Sequence, residues 1–198
     1  MKSNVCKIEN GVNDLQAILK ESEKVAVFNG LTHKQTLHLR LLCEEMDGML
    51  PNVIDDFDGE FWIEFEDGVC KINASIRLAE FSVEKKKELI NIASNKKNAA
   101  AVGIVGKIRC AIEEFFLRGE PVQPYDMTTG LYVYSAGNIV GGDYCLWGLS
   151  QYRTSIKQEE KAEEWDELEK SIIASLADDV IVGVKGKQAN IVIVKRFN

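Results

Sequence analysis

The chain has little of what most catalytic or metal-bound frameworks announce in sequence. It holds two histidines, His33 and His38, five apart and with no further ligand pattern near them, so a four-ligand zinc site is not expected. Its five cysteines, Cys6, Cys43, Cys70, Cys110 and Cys145, are odd in number, scattered, and form no CxxC pair. That pattern excludes a disulfide framework and reads as reduced thiols. No apolar run approaches the ~20 residues of a membrane span. The opening MKSNVCKIEN has no apolar core of the kind an export signal needs, so a cytoplasmic location without membrane contact is expected. Nor is there a dense Lys/Arg cluster: with a formal charge of −7 the chain repels a phosphate backbone on average, and nucleic acid is not an expected partner. Internal repeats and low-complexity segments are also missing.

What remains is ordinary globular material, 45% hydrophobic and 28% charged over 198 residues, enough for one substantial core and a single domain over 1–198. Its most informative stretch is Leu31 to Leu50, LTHKQTLHLRLLCEEMDGML. Thr32 followed three residues later by Gln35 is a capping box. Leu39, Leu42, Met46 and Met49 recur at helical spacing and predict a buried stripe, and Pro51 is expected to stop the helix. Glu44 and Glu45 sit beside that stripe. Such a pair serves either as a solvated flank of an amphipathic helix or as an acid turned into a ligand pocket.

Around this helix the order of elements can be read from periodicity and turn residues. Val12 to Asn29 patterns as a first helix ending at Gly30, so the two helices should form an αα-hairpin. Phe61 to Phe65 and Cys70 to Leu78 alternate as strands about an Asp67-Gly68 turn. Ser82 to Ser94 reads as a short helix, and Ala99 to Phe116 as a helical run with Gly103 and Gly106 inside it. Each interior glycine costs about 1 kcal/mol relative to alanine, so close packing against the sheet or a loop is expected there. Pro121, Pro124 and Gly141-Gly142 bracket an irregular region, Gly119 to Ser150, holding one strand at Leu131 to Ser135. A charged helix is expected from Lys157 to Ala177, with Trp165, Leu168, Ile172 and Leu176 on one face. A hairpin closes the chain: Val180 to Val184, a turn at Lys185 to Gln188, then Ile191 to Val194. The lysine runs 85–87 and 96–97 are read as solvated surface.

This order (helix, helix, hairpin, helices, variable region, helix, terminal hairpin), with the acidic helix LRLLCEEMDGML, resembles the GHKL or Bergerat-fold ATPase superfamily. It is nearest to bacterial anti-sigma-factor serine kinases and the ATP-binding domains of sensor histidine kinases. The resemblance implies an α+β, two-layer α/β sandwich. Its sheet would be mixed, mostly antiparallel, and covered by helices on one face, with an insertion around 119–150. In that family a helical Glu orients or deprotonates a nucleophile, an Asn four residues on holds Mg²⁺ against the phosphates, a strand Asp bonds adenine, and glycines flank a lid.

Carried onto this chain, the acid is Glu45, with Glu44 as the alternative register. The Asn position is then Met49, or Gly48 in the other register, and neither offers the side-chain oxygen a hard cation needs. The strand Cys70 to Leu78 leads through NASIRLAEF, Asn73 to Phe81, with Ser75 but neither the Asp nor the Gly of the adenine motif. Asp67-Gly68 is the hairpin turn and not that motif. The glycine box is either Gly103-Ile-Val-Gly106 or loop glycines such as Gly119, Gly130, Gly141 and Gly142. Met49, Ser75, Gly103 and Gly106 are thus the nucleotide-binding positions the resemblance marks out, with no metal ligands and with Mg-ATP as the cofactor it implies. Three function classes follow: a pseudo-enzyme that regulates signalling through a protein partner or a homo-oligomer, an active ATPase or protein kinase using Glu45, and a binder of another small ligand between helices and sheet. Loss of both the metal and the adenine residues favours the first.

Overall fold

The computed structural model describes residues 1–11, 15–54, 56–78, 103–118, 134–135, 144–158, 162–185 and 188–197. In chain order these form β1 (Cys6–Glu9), α1 (Leu15–Phe28), α2 (His33–Val53), β2 (Phe57–Glu66), β3 (Val69–Leu78), α3 (Gly103–Arg118) and β4 (Tyr134–Ser135). Then follow β5 (Tyr144–Gly148), α4 (Leu149–Gln158), α5 (Ala162–Glu169), α6 (Ile172–Leu176), β6 (Asp179–Lys185) and β7 (Gln188–Arg196). The expected helix at Ser82 to Ser94 and both lysine runs lie outside the described residues, as does most of the region 119–150.

Seven strands make one sheet in the order β1-β2-β3-β7-β6-β5-β4. Among the described residues every pairing is antiparallel, where the resemblance implies a mixed, mostly antiparallel sheet. Each joined pair of neighbouring strands comes from a hairpin or from strands running in opposite senses, so no parallel crossover is needed. The β2–β3 hairpin turns on Asp67 and Gly68, with φ of 49° and 75°. Two successive left-handed residues are what a two-residue type I′ turn demands, and Asp-Gly supplies them at small steric cost.

Alternation along the strands sets the layers. Phe61 and Ile63 of β2, Ile72, Ala74 and Ile76 of β3, Val182 of β6, and Ile191 and Ile193 of β7 are all buried. They share a single core with Ile18 and Leu19 of α1, Leu39, Leu42 and Met46 of α2, and Ile108 and Ile112 of α3. The intervening Glu60, Lys71 and Gln188 are exposed on the other face. The architecture is therefore α+β: an open antiparallel sheet with its helices packed on one apolar face.

Several elements depart from the sequence reading. α2 does not stop at Pro51 but runs to Val53. Proline there forgoes one bond to the Asp47 carbonyl, yet Ile54 N–H still donates to the Leu50 carbonyl at 3.0 Å and Val53 is anchored in the core. The charged helix expected over Lys157 to Ala177 is three helices. Lys157 belongs to the last turn of α4, and Ser171 interrupts the remainder by capping α6, its hydroxyl accepting from Ala174 N–H at 3.3 Å. Ile172 is consequently exposed while Leu168 and Ile173 are buried. β1 was not foreseen, because four residues carry too little alternation to stand out. Finally β4 and β5, from the irregular region, extend the sheet beyond β6.

Candidate functional site

α2 lies between α1 and α3 on the helical side of the sheet. Its start is fixed locally: Thr32 Oγ1 accepts from Gln35 N–H, and the Gln35 side chain accepts from Thr32 N–H at 2.9 Å. From that start the buried stripe Leu39, Leu42, Met46, Met49, Leu50 and Val53 follows helical period, with Cys43 added to it. Glu44 and Glu45, about 100° apart around the axis, fall on opposite flanks of this stripe.

The two glutamates have different surroundings. Glu44 accepts from Arg40 Nε at 3.1 Å, and Arg40 Nη1 lies 3.4 Å from Glu23 of α1. That flank of α2 is closed by a charge network reaching across the hairpin. Asp47, one turn after Glu44 on the same flank, is half-buried without an ion pair among the described residues, and burial raises its carboxyl above the usual aspartate range. Glu45 is also half-buried, and makes no hydrogen bond or ion pair among the described residues. Its flank is shared with Asn52, whose backbone carbonyl accepts from Arg109 Nη1 of α3 at 3.4 Å. Glu45 therefore lies on the flank of α2 away from the Arg40 network, a carboxylate with no ion-pair partner among the described residues.

The nucleotide-binding positions marked out by resemblance do not converge there. Met49 follows Glu45 by one turn but is only 3% exposed, packed in the core stripe. Ser75 lies on the sheet face away from α2: Gln188 Nε2 donates to Ser75 Oγ at 2.7 Å, and Ser75 Oγ donates to Asn190 Oδ1 at 2.5 Å. The sheet itself stands between Ser75 and Met49, so the two cannot line one pocket. The strict alternation of Ile72, Ala74 and Ile76 already held that information. Gly103 is the first described residue of α3 and has φ +73°, a backbone form glycine adopts freely. Gly106 lies within α3 and is buried.

One cluster escaped the sequence because its members are far apart along the chain. Tyr152 of α4 donates its hydroxyl to Glu164 Oε2 of α5 at 2.9 Å. Lys107 Nζ of α3 is 3.7 Å from the same oxygen and 5.4 Å from the Tyr152 ring centre. Trp147 packs on Tyr152 with ring centres 5.8 Å apart. Burial, then Glu164, pushes the Tyr152 hydroxyl above the ordinary tyrosine range, so it keeps its proton and serves as a donor. The cluster fastens α3, one residue past Gly106, to α4 and α5.

Among the described residues no three His, Cys, Asp or Glu side chains gather as metal ligands. Cys6, Cys43 and Cys70 are buried and form no disulfide among the described residues. Burial raises the Cys43 thiol and pushes Cys70 up to about 12, which leaves no thiolate to react. Among those residues too, no helix is long and apolar enough to cross a membrane. No protein-family model matches the chain, and neither a curated protein nor a solved structure matches it.

Proposed function

We propose that this chain is a regulatory protein on a GHKL-like, histidine-kinase-like scaffold whose Mg-ATP chemistry is lost and which acts by contacting another protein. The observation that carries the reading is Met49. It stands one turn after Glu45, where the family's helix presents the Mg²⁺-binding Asn, and it is 3% exposed inside the apolar core. A buried thioether is a poor partner for a hard cation that takes about six oxygen ligands. The residues present do not fit Mg-ATP, and no catalytic step is assigned to it. Ser75, on the far face of the sheet, supplies no base recognition on the side of Glu45.

Support for the scaffold comes from the element order. A helical hairpin, a strand hairpin, a later helix and a closing strand hairpin all occur in the expected sequence. Support for protein contact comes from apolar side chains left in solvent on α1 and α2, Val27, Phe28, Leu37 and Leu41. Calorimetric titration of the chain with Mg-ATP and Mg-ADP tests the reading. No heat of binding is expected with either nucleotide. Tight binding that disappears with Glu45→Ala, or on removal of Mg²⁺, returns the protein to the active ATPase or kinase class and overturns the reading.

A further inference from the structure

Residues 1–10 lie along the side of β2 that β3 leaves free, and they cover most of its length. Phe65 N–H donates to the Met1 carbonyl and Ser3 N–H to the Ile63 carbonyl, each at 2.8 Å. Cys6–Glu9 then pair with Phe61 to Asp58, and Asn10 N–H closes on the Phe57 carbonyl at 3.0 Å. Lys2 stands opposite Glu64 and Cys6 opposite Phe61, so four steps of this strap match three of β2. The extra residue makes a bulge. There Ser3 Oγ accepts from Ile63 N–H at 2.9 Å, and Asn4 is given to α1. Glu21 of α1 receives it: the carboxylate accepts from Asn4 N–H and Asn4 Nδ2, each at 3.1 Å, and from Lys24 Nζ at 2.5 Å. Among the described residues Glu21 is the one charged side chain that is buried. A buried carboxylate is costly to strip of its partners, so its two bonds to Asn4 act as a latch on the strap.

Few apolar side chains fasten the strap besides. Cys6 and Ile8 enter the core, while Met1 and Val5 are 43% and 47% exposed. The strap ends at Gly11, whose φ of +79° suits glycine and whose missing Cβ would meet nothing within 4 Å. A segment with so little buried apolar surface opens more readily than the whole fold. The edge it covers is selective. β2 carries Asp58, Glu60, Glu64 and Glu66 on the face away from the helices. Antiparallel pairing of two β2 strands about Trp62 would set Glu60 against Glu64 and Asp58 against Glu66, which repel. The strap instead brings Lys2, 3.7 Å from Glu64, and Lys7, opposite Glu60. Its Glu9 meets Asp58, which Arg77 of β3 neutralises from 3.6 Å. We propose that the β2 edge is a strand-binding site, filled by residues 1–10 of its own chain while the Glu21–Asn4 latch holds and by the same segment of a second copy when the latch opens. Lysines at those two places, one extra residue between them and an Asn for Glu21 are what the edge selects, and this segment carries all three. The inference goes beyond the regulatory reading above and does not rest on it.

The test uses the full chain, with Asn4→Ala and Glu21→Gln to open the latch and Glu23→Gln, exposed on α1, as control. The probe is a labelled peptide of residues 1–10 under reducing conditions. In both latch variants hydrogen exchange should quicken about tenfold or more at Ile63 and Phe65, whose amides bond to the strap. It should stay unchanged at Ile72 and Ile193 in the middle of the sheet, which also confirms that each variant is folded. Both latch variants should capture the peptide, read by anisotropy, more tightly than the parent. They should also self-associate in sedimentation velocity, and excess peptide should reverse it. Glu23→Gln should behave as the parent, and Lys2→Glu with Lys7→Glu in the peptide should abolish capture. Unchanged exchange at Ile63 and Phe65, or equal quickening at Ile72 and Ile193, overturns the latch. Fast exchange without peptide capture, or equal capture of the charge-reversed peptide, overturns the site. Self-association that excess peptide leaves intact belongs to another surface and overturns the exchange between copies.

Discussion

The two flanks of α2 make an instructive contrast. On the flank toward α1, Arg40 holds Glu44 at 3.1 Å and Glu23 at 3.4 Å, and the acids there are spoken for except Asp47. On the other flank, Glu45 keeps no partner among the described residues, and the next turn presents Met49, sealed in the core. Adjacent residues in one helix have thus been given different physical tasks. One glutamate belongs to the hairpin's own electrostatics. The other has no partner among the described residues and a buried thioether, not an oxygen ligand, one turn on. The difference teaches that an acidic pair in sequence is not a catalytic pair until each member's neighbours are known.

The largest test of this contrast is Met49→Asn, which puts into the helix the residue that the proposed GHKL resemblance calls for. Because Met49 is buried, loss of its side chain costs about 2–5 kcal/mol and an unpaired amide adds to that. Urea unfolding should show the drop, and titration with Mg-ATP should still show no binding. Nucleotide binding by this variant would break the comparison by making position 49 a ligand site.

Asp47→Asn probes the α1 flank through pH. Burial raises the folded carboxyl above its unfolded value near 3.8, so the fold favours the protonated form. The stability tied to that group is fully present below about pH 3.8 and is lost as pH rises through the folded value. At neutral pH the charged Asp47 therefore costs stability. The Asn variant should melt above the parent at neutral pH, with the gap closing as pH falls into the carboxylate range. A gap that widens on acidification would be the wrong sign.

Smaller still, Arg40→Ala should cost below about 1 kcal/mol, since both its partners are partly solvated, and high salt should shrink the difference. Glu45→Ala should leave stability within about 0.5 kcal/mol of the parent. A loss from Glu45→Ala as large as that from Met49→Asn would show that Glu45 is structural, and the two flanks would no longer differ in kind.

Much of the frame was legible because it rests on local chemistry. The Thr32–Gln35 capping box, the Asp67-Gly68 turn, the hairpin of α1 and α2 and the closing β6–β7 hairpin each follow from residues within one or two turns of each other. The rest depended on distant partners. β1 exists because Cys6 to Glu9 pair with Asp58 to Phe61. Its approach is held by Glu21, which accepts from Asn4 N–H and Asn4 Nδ2, each at 3.1 Å. No feature of CKIE alone distinguishes it from surface loop. Likewise Lys107, Tyr152 and Glu164 meet only when α3, α4 and α5 pack. Of the candidate site, the helix and its core stripe could be read directly. The placement of Ser75 was readable from alternation, but Glu45 was not separable from Glu44.

By itself, then, the sequence determined the helical hairpin and the two strand hairpins, where α2 starts, and that Met49 rather than Asn stands one turn after Glu45. These are matters of period and capping, settled between residues a few positions apart. Only the tertiary structure decided that Glu44 joins the Arg40–Glu23 pair while Glu45 lies on the other flank, that Ser75 lies behind the sheet, and that β4 and β5 widen it. Those outcomes depend on which apolar faces find each other across long stretches of chain. A helix's periodicity names its buried side but not the neighbour that each of its flanks will meet.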